Sequence, residues 1–365
     1  MYDPLFCILP PHIFQEIAKN GSEKDREAAL EILATDHIHR IRRATFTAMG
    51  GLKLPPPKLP PPRISVVHRL IYDCKHTMHL PGTLVRSEGQ PPTTDKSANN
   101  AYDHLGETFA FYFSVYHRYS IDNKGMPLHA CVHYGTKYDN AFWDGSEMVF
   151  GDGDSVYFND FTIPLDVTGH ELTHGVTAHE ANLVYHDQPG ALNESISDVF
   201  GILVKQYKLK QTAAQADWII GAGLFTSKVN GVGIRSMKAP GTAYNDPILG
   251  KDPQPADMTK FVQGGDVHVN SGIPNHAFYL VASAIGGYAW QKAGLIWYET
   301  LRDHNLSSTA DFTTFANLTI QHAGIRFGIK SPEQKAVISA WEQVKVPIMP
   351  LMGVEEVMEE VAMAV

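Results

Sequence analysis

Cysteine is scarce in this chain: Cys7, Cys74 and Cys131 are the three among 365 residues. The number is odd, the spacings are wide and no Cys-x-x-Cys pair occurs. That excludes a disulfide scaffold and a thiolate-rich zinc module. Basic charge is also short, with 30 Lys and Arg against 39 Asp and Glu, a formal net charge of −9. A nucleic-acid or anionic-membrane partner needs a basic stripe, so neither is expected. Long apolar runs are missing too. No stretch approaches the roughly 18 uninterrupted apolar residues of a membrane span. The apolar run Leu5–Leu9 is too short for the core of a signal peptide. Cytoplasmic synthesis is the expectation, with export by a route that reads no signal peptide left open.

What remains is a chain of ordinary globular character, 44% hydrophobic with mean hydropathy −0.18. At about 150 residues per domain its length suggests two domains. Histidine is plentiful at 18, and most of it reads as scattered surface residues. Residues 1–48 form a small unit of two helices, one after Pro11 with Ile13, Ile17 and Ala18 in register. The other starts at Ser22 with Ala28, Ala29, Ile32, Leu33 and Ile38 on its apolar side. Two such helices cannot enclose a core, so the unit is expected to dock on the rest. Residues 49–63 carry six prolines and read as an extended linker. Residues 64–165 read as strand-rich, with strands at 64–72, 84–86, 130–134 and 147–150 and a long helix at 97–119. Residues 166–345 read as helical, at 166–180, 192–208, 275–289, 311–324 and 332–345. An acidic, Met-rich tail, 346–365, follows.

The segment Gly169–Gly175 reads GHELTHG. His170 and His174, four apart on a helix, share one face and can grip one zinc ion. Glu171 can lean toward the open coordination position and take a proton from water. Twenty residues after His174 the sequence GALNESISDVFG places Glu194, with Pro189-Gly190 as a turn and a helix starting near Asn193. Glu194 supplies the third protein ligand that a catalytic zinc needs. Asp198, one turn on, can accept the second N–H of a zinc-bound histidine. Both carboxylates would also suit a helix N-terminus without any metal.

HELTH followed by NESISDVFG resembles the thermolysin-like neutral metallopeptidases, whose third ligand is a glutamate. Residues 140–154, 234–247 and 267–280 are similar to family segments in matching order. The short N-terminal unit with LPPHIF resembles the protealysin branch, in which a Pro-Pro motif belongs to the propeptide covering the active site. The resemblance implies an α+β, two-lobed fold with the HELTH helix at the cleft floor. It implies a zinc endopeptidase that cuts before bulky apolar residues and is made as a self-processing zymogen, acting as a monomer on protein or peptide substrates. His170, His174 and Glu194 would ligate zinc and Glu171 would be the general base. Tyr185 and His268 would donate hydrogen bonds to the oxyanion. Asn140 and the backbone of Ala141 would hold the peptide extended on an edge strand. Arg235 would bond the carbonyl beyond the scissile bond, and Ile234 would line the pocket for the residue after it. Residues 1–48 would inhibit in cis and be released by a cut in or near the linker.

Two departures from the family pattern stand out. An acid five residues before the oxyanion histidine is replaced by Gln263, which leaves Asp266 either to take over or to leave His268 loosely held. At the paired calcium site only Asp166 and Asp217 remain, beside Lys205, Ile219 and Ala222, so the double site is expected to be lost, while a single calcium elsewhere stays open. The Asp152-Gly153-Asp154 segment reads as a turn or as a calcium candidate. Cys7 reads as an apolar packing residue or as a thiolate meeting the zinc. Two competing readings keep the scaffold: a non-catalytic binding protein, which would be expected to have lost a ligand or the base, and a hydrolase with a non-protein substrate.

Overall fold

A computed structural model describes residues 6–48 and 67–349; the proline-rich linker and nearly all of the acidic tail lie outside these residues. The chain opens with a two-residue strand, β1 (Phe6–Cys7), then α1 (Pro11–Asn20) and α2 (Glu23–Ala48). Proline at the first position of α1 suits a site whose N–H has no helical partner. A reciprocal cap starts α2: Ser22 N donates to Asp25 Oδ2 at 3.0 Å and Asp25 N to Ser22 Oγ at 3.3 Å. The docking expected of this unit is present. Ile8, Leu9, Ile13, Phe14, Ile17, Ala29 and Ile32 are buried in the main core, whereas Ala28 turns to solvent.

A six-stranded sheet follows, in the order β1-β5-β6-β4-β2-β3. Its members are β2 (Arg69–Asp73), β3 (Thr83–Ser87), β4 (Leu128–Val132), β5 (Ala141–Trp143) and β6 (Met148–Phe150). Strands β2, β4 and β6 run parallel, while β3, β5 and β1 pair antiparallel with their neighbours. Helix α3 (Lys96–Tyr116) packs against the sheet. Asp95 caps it by accepting from the Ser97 and Ala98 amides.

Beyond residue 164 helices dominate: α4 (Leu165–His179), α5 (Asp187–Leu209), the short α6 (Val267–Asn270), α7 (Gly272–Ile285), α8 (Ala293–Leu301), α9 (Phe312–Phe327) and α10 (Pro332–Gln343). Helix α5 begins five residues earlier than the sequence suggests. Pro189 lies in its first turn, where a missing N–H costs nothing. Glu194 therefore sits two turns into the helix rather than at its start. The α4–α5 pair is the structural centre, and both helices are buried along most of their length. Gly169 and Gly201 let their backbones approach closely. A Cβ at Gly201 would lie 2.6 Å from the Asp166 carbonyl oxygen and 3.0 Å from His170 N. The close approach brings the polar side chains of α5 against the histidines of α4.

Candidate active site

The face of α4 that carries His170 and His174 meets the face of α5 that carries Asn193, Glu194, Ser197 and Asp198, all buried. His170 Nδ1 lies 2.8 Å from Asp198 Oδ1, and His174 Nδ1 lies 2.8 Å from Asn193 Oδ1 and 3.0 Å from Ser197 Oγ. Asn193 Nδ2 donates to the Leu183 carbonyl at 3.1 Å, which fixes Oδ1 as the atom facing the ring. Both Nδ1 atoms therefore face acceptors, and the lone pairs fall on the two Nε2 atoms, which face each other at 3.0 Å.

Glu194 closes the triangle. Its Oε2 is 3.4 Å from His170 Nε2 and its Oε1 is 3.5 Å from His174 Nε2, and Oε2 is buried with no hydrogen-bond partner. Two converging imidazole lone pairs and an orphaned carboxylate oxygen fit a tetrahedral cation. The separations of 3.0–3.5 Å suit bonds of about 2.0–2.1 Å. The surroundings favour positive charge. Burial alone lowers His170, yet the Asp198 and Glu194 carboxylates push it up to about 9. Burial likewise opposes ionisation of Glu194, but His268, His174 and His170 hold it well below the usual carboxylate range.

Around the triangle stand the other expected residues. Glu171 is wholly buried; its Oε2 accepts from Trp143 N at 3.1 Å and its Oε1 has no partner. Burial pushes its carboxyl well above the usual range. Tyr185 donates to Glu194 Oε1 and stands 3.4 Å from His268 Nε2. Asp266 is the residue that holds His268, at 2.6 Å from Nδ1 and 3.0 Å from the backbone amide, while Gln263 is exposed. Arg235 forks onto Asp198, with Nε and Nη2 each 2.8 Å from a carboxylate oxygen. Asn275 Nδ2 donates to the same carboxylate at 2.8 Å. Burial raises Asp198, but Arg235 and His170 outweigh it and bring it down to about 2. Sequence reasoning missed Asn193, Ser197 and Asn275. The first two sit on the same helix face as Glu194, which was a usable signal.

The chain's own N-terminal segment lies in this site. Cys7 pairs antiparallel with Phe142 of β5, making β1 the edge of the sheet, and Ile8 N donates to the Ala141 carbonyl at 3.1 Å. Leu9 N donates to Asn140 Oδ1 at 3.1 Å. The Ile8 carbonyl accepts from Arg235 Nη1 at 3.0 Å, and the Cys7 carbonyl lies 3.0 Å from His268 Nε2. The Cys7 thiol does not meet the metal triangle. It packs with Cys74, Cys131, Tyr134, Tyr138, Phe142 and Val149 in a separate apolar cluster, so the packing reading holds. Ile234 is buried in the main core. Where the sequence suggests a lost calcium site, Lys205 Nζ lies 3.2 Å from Asp166, 3.0 Å from Asp217 and 3.0 Å from the Ile219 carbonyl, an ammonium among oxygens.

Comparison with known proteins agrees with this geometry. Residues 65–178 match the thermolysin metallopeptidase catalytic domain and residues 181–346 match its alpha-helical domain. The chain is 48% identical to an extracellular metalloprotease of Pectobacterium carotovorum, covering 94% of this chain and 97% of that protein. It is 47% identical to protease PrtS of a Photorhabdus species, covering 93% and 92%. The solved precursor of protealysin, the metalloproteinase of Serratia proteamaculans, superposes with a TM-score of 0.84 at 50% identity, over 94% of this chain and 100% of that one. With the buried His-His-Glu triangle at the junction of its two matched domains, the chain belongs to the thermolysin-like zinc metalloendopeptidases, and within them to the protealysin type.

Proposed function

We propose that the enzyme hydrolyses peptide bonds on the amino side of bulky apolar residues, with Glu171 as general base, and that residues 1–48 are an inhibitory prosegment released by its own activity. The observation that carries this reading is the lie of Cys7–Leu9 along β5, as an extended peptide would lie. Ile8 hands its carbonyl to Arg235 and is itself fully buried, which supports an apolar pocket for the residue after the cut. The Cys7 carbonyl, one residue earlier, faces His268 in the position of a scissile carbonyl.

Zinc, when held by His170, His174 and Glu194, supplies Lewis-acid chemistry that polarises a carbonyl and acidifies water. The remaining work falls to side chains. Glu171 Oε1 takes the proton of the attacking water and returns it to the leaving amine. Tyr185 and His268 donate to the oxygen on which negative charge develops. Asp266 holds the His268 ring in place, and the Asp198–Arg235 fork fixes both the His170 ring and the guanidinium that positions the peptide. Lys205 stands in for calcium, so stability should not depend on that ion at this position.

Casein zymography and cleavage-site mapping on a peptide library test the reading. Expected are chelator-sensitive clearing, zinc rescue, and cuts before Ile, Leu, Phe or Val. Cuts clustering before charged residues would reject the specificity, and chelator-resistant clearing would reject the mechanism.

The prosegment adds a pH prediction. His12 on α1 is mostly enclosed, with Nε2 2.8 Å from the Tyr244 hydroxyl. Burial lowers it to about 4; Asp266 and Glu16 pull the other way, while His268 and Arg235 add to the lowering. An exposed histidine titrates near 6.5. The undocked segment therefore binds a proton more readily than the docked one at any pH below about 6.5. Docking is fully stable above that value and weakens as pH falls toward 4. At pH 5 the docking constant should be roughly 30-fold smaller than at pH 7.5. Hydrogen exchange at the Ile8 and Leu9 amides in a Glu171→Gln chain measures it. His12→Gln should flatten the dependence, and an unchanged slope in that variant would exclude His12 as its source.

A further inference from the structure

Among the described residues, one other group of imidazoles and carboxylates converges besides the catalytic triangle. It lies on the sheet. The parallel strands β2, β4 and β6 end at Asp73, Val132 and Phe150, and just beyond these ends stand His76, His133 and Asp152. His133 Nδ1 is 2.7 Å from Asp152 Oδ1, and His76 Nδ1 is 3.2 Å from Asp152 Oδ2. One nitrogen from each ring and a carboxylate oxygen all fall within 4.8 Å of one another. The backbone sets this up. Both histidines adopt left-handed conformations, φ 59° and 55°, and His76 N donates to the His133 carbonyl at 2.9 Å, which ties the two loops together.

A second layer supports the first. His133 Nε2 lies 2.9 Å from Asp95 Oδ2, and the other oxygen of Asp95 is committed to capping α3. A carboxylate on the far nitrogen of an imidazole fixes its tautomer and turns the lone pair of the near nitrogen outward, as around metal-bound histidines. Here the near nitrogen is Nδ1: without an ion it donates to Asp152 Oδ1, and a bound ion takes the place of that proton while Asp95 keeps hold of Nε2–H.

We propose that His76, His133 and Asp152 form a second zinc site at the carboxyl ends of these three strands, with solvent completing the coordination. The donor set decides the metal class. Two imidazoles and one carboxylate suit zinc and similar transition ions, whereas calcium and magnesium take oxygen shells. Tetrahedral bonds of 2.0–2.1 Å place ligand atoms about 3.4 Å apart, and the 2.7 and 3.2 Å separations reach that value by small side-chain adjustments. The His76 side chain is 59% exposed, so an ion enters without any opening of the fold and exchanges faster than one at the buried catalytic triangle. A bound ion joins three loops that leave adjacent strands, and so braces the sheet that carries β5. None of the three residues is among those that hydrogen-bond or pair with Cys7–Leu9.

Equilibrium dialysis of the full chain against zinc, in a Glu171→Gln background that prevents self-digestion, tests the proposal. About two ions per chain are expected, falling to about one in the His76→Ala variant. The same variant in the active enzyme should keep its kcat/KM. Equal zinc counts with and without His76 would overturn the site, whether one ion or two were found. A zinc-induced rise in Tm beyond that from filling the catalytic site should also vanish in His76→Ala, and its persistence there would count equally against the proposal.

Discussion

Glu171→Gln should lower kcat/KM by about 10²–10⁴ and stop self-processing, while the chain keeps its catalytic zinc. The substitution is nearly isosteric. Glu171 Oε2 accepts from Trp143 N, a bond that the Gln carbonyl can retain. The second oxygen, buried and without a partner, is the atom that changes, to an NH₂ that cannot take a proton. His170, His174 and Glu194 keep their partners, so metal affinity should be little altered. Because only a transition-state interaction is removed, KM should move little and kcat should carry the loss. Zinc analysis, steady-state kinetics on an apolar peptide and a time course of the purified precursor on a gel check the three parts. Conversion of the isolated variant to the mature size would show that another group is the base.

Lys205→Ala should destabilise the fold by about 3–5 kcal/mol, because it leaves the Asp166 carboxylate buried without its cation. Asp217 is half exposed and can turn to water; Asp166 cannot, since it is fully enclosed beneath the α4–α5 crossing. The corresponding fall in Tm is about 4–7 °C for a chain of this length. In the parent chain, removing calcium should shift Tm by far less on the proposed reading, because the Lys205 ammonium already lies among the Asp166, Asp217 and Ile219 oxygens. Thermal melts of Glu171→Gln and of Glu171→Gln/Lys205→Ala, each with and without a calcium-selective chelator, measure both effects. A large chelator shift in the parent would mean that calcium binds elsewhere and matters. A variant that melts like its parent would mean that Asp166 is satisfied by something other than Lys205.

The catalytic centre was legible where it is written locally. Two histidines four apart on a helix must share a face, so His170 and His174 needed no tertiary knowledge. Glu194 and Asp198 were legible because they too are one turn apart, although the start of their helix was misplaced: Pro189-Gly190 looks like a turn, and a proline in a first turn breaks nothing. Which acid holds His268 was open in the sequence. Asp266 lies two residues away and Gln263 five, and the short helix α6 brings Asp266 to both the ring and the amide. Strand β1 was illegible. Two residues carry no period, and their partners, Phe142 and Trp143, lie far along the chain. The Asp198–Arg235–Asn275 cluster was equally hidden, since its members come from three distant segments.

The seating of Cys7–Leu9 in the groove makes latency a matter of molecularity. In the proposed latent state, while the chain is continuous, residues 6–48 compete with substrate at an effective concentration set by the 49–66 connection and not by the amount of enzyme present. One cut in the connection changes the law that governs the contest, from a fixed ratio to mass action. On the proposed function the freed segment would then leave in proportion to dilution, so a crowded pool of cleaved molecules would stay quiet and the same molecules would act once they disperse.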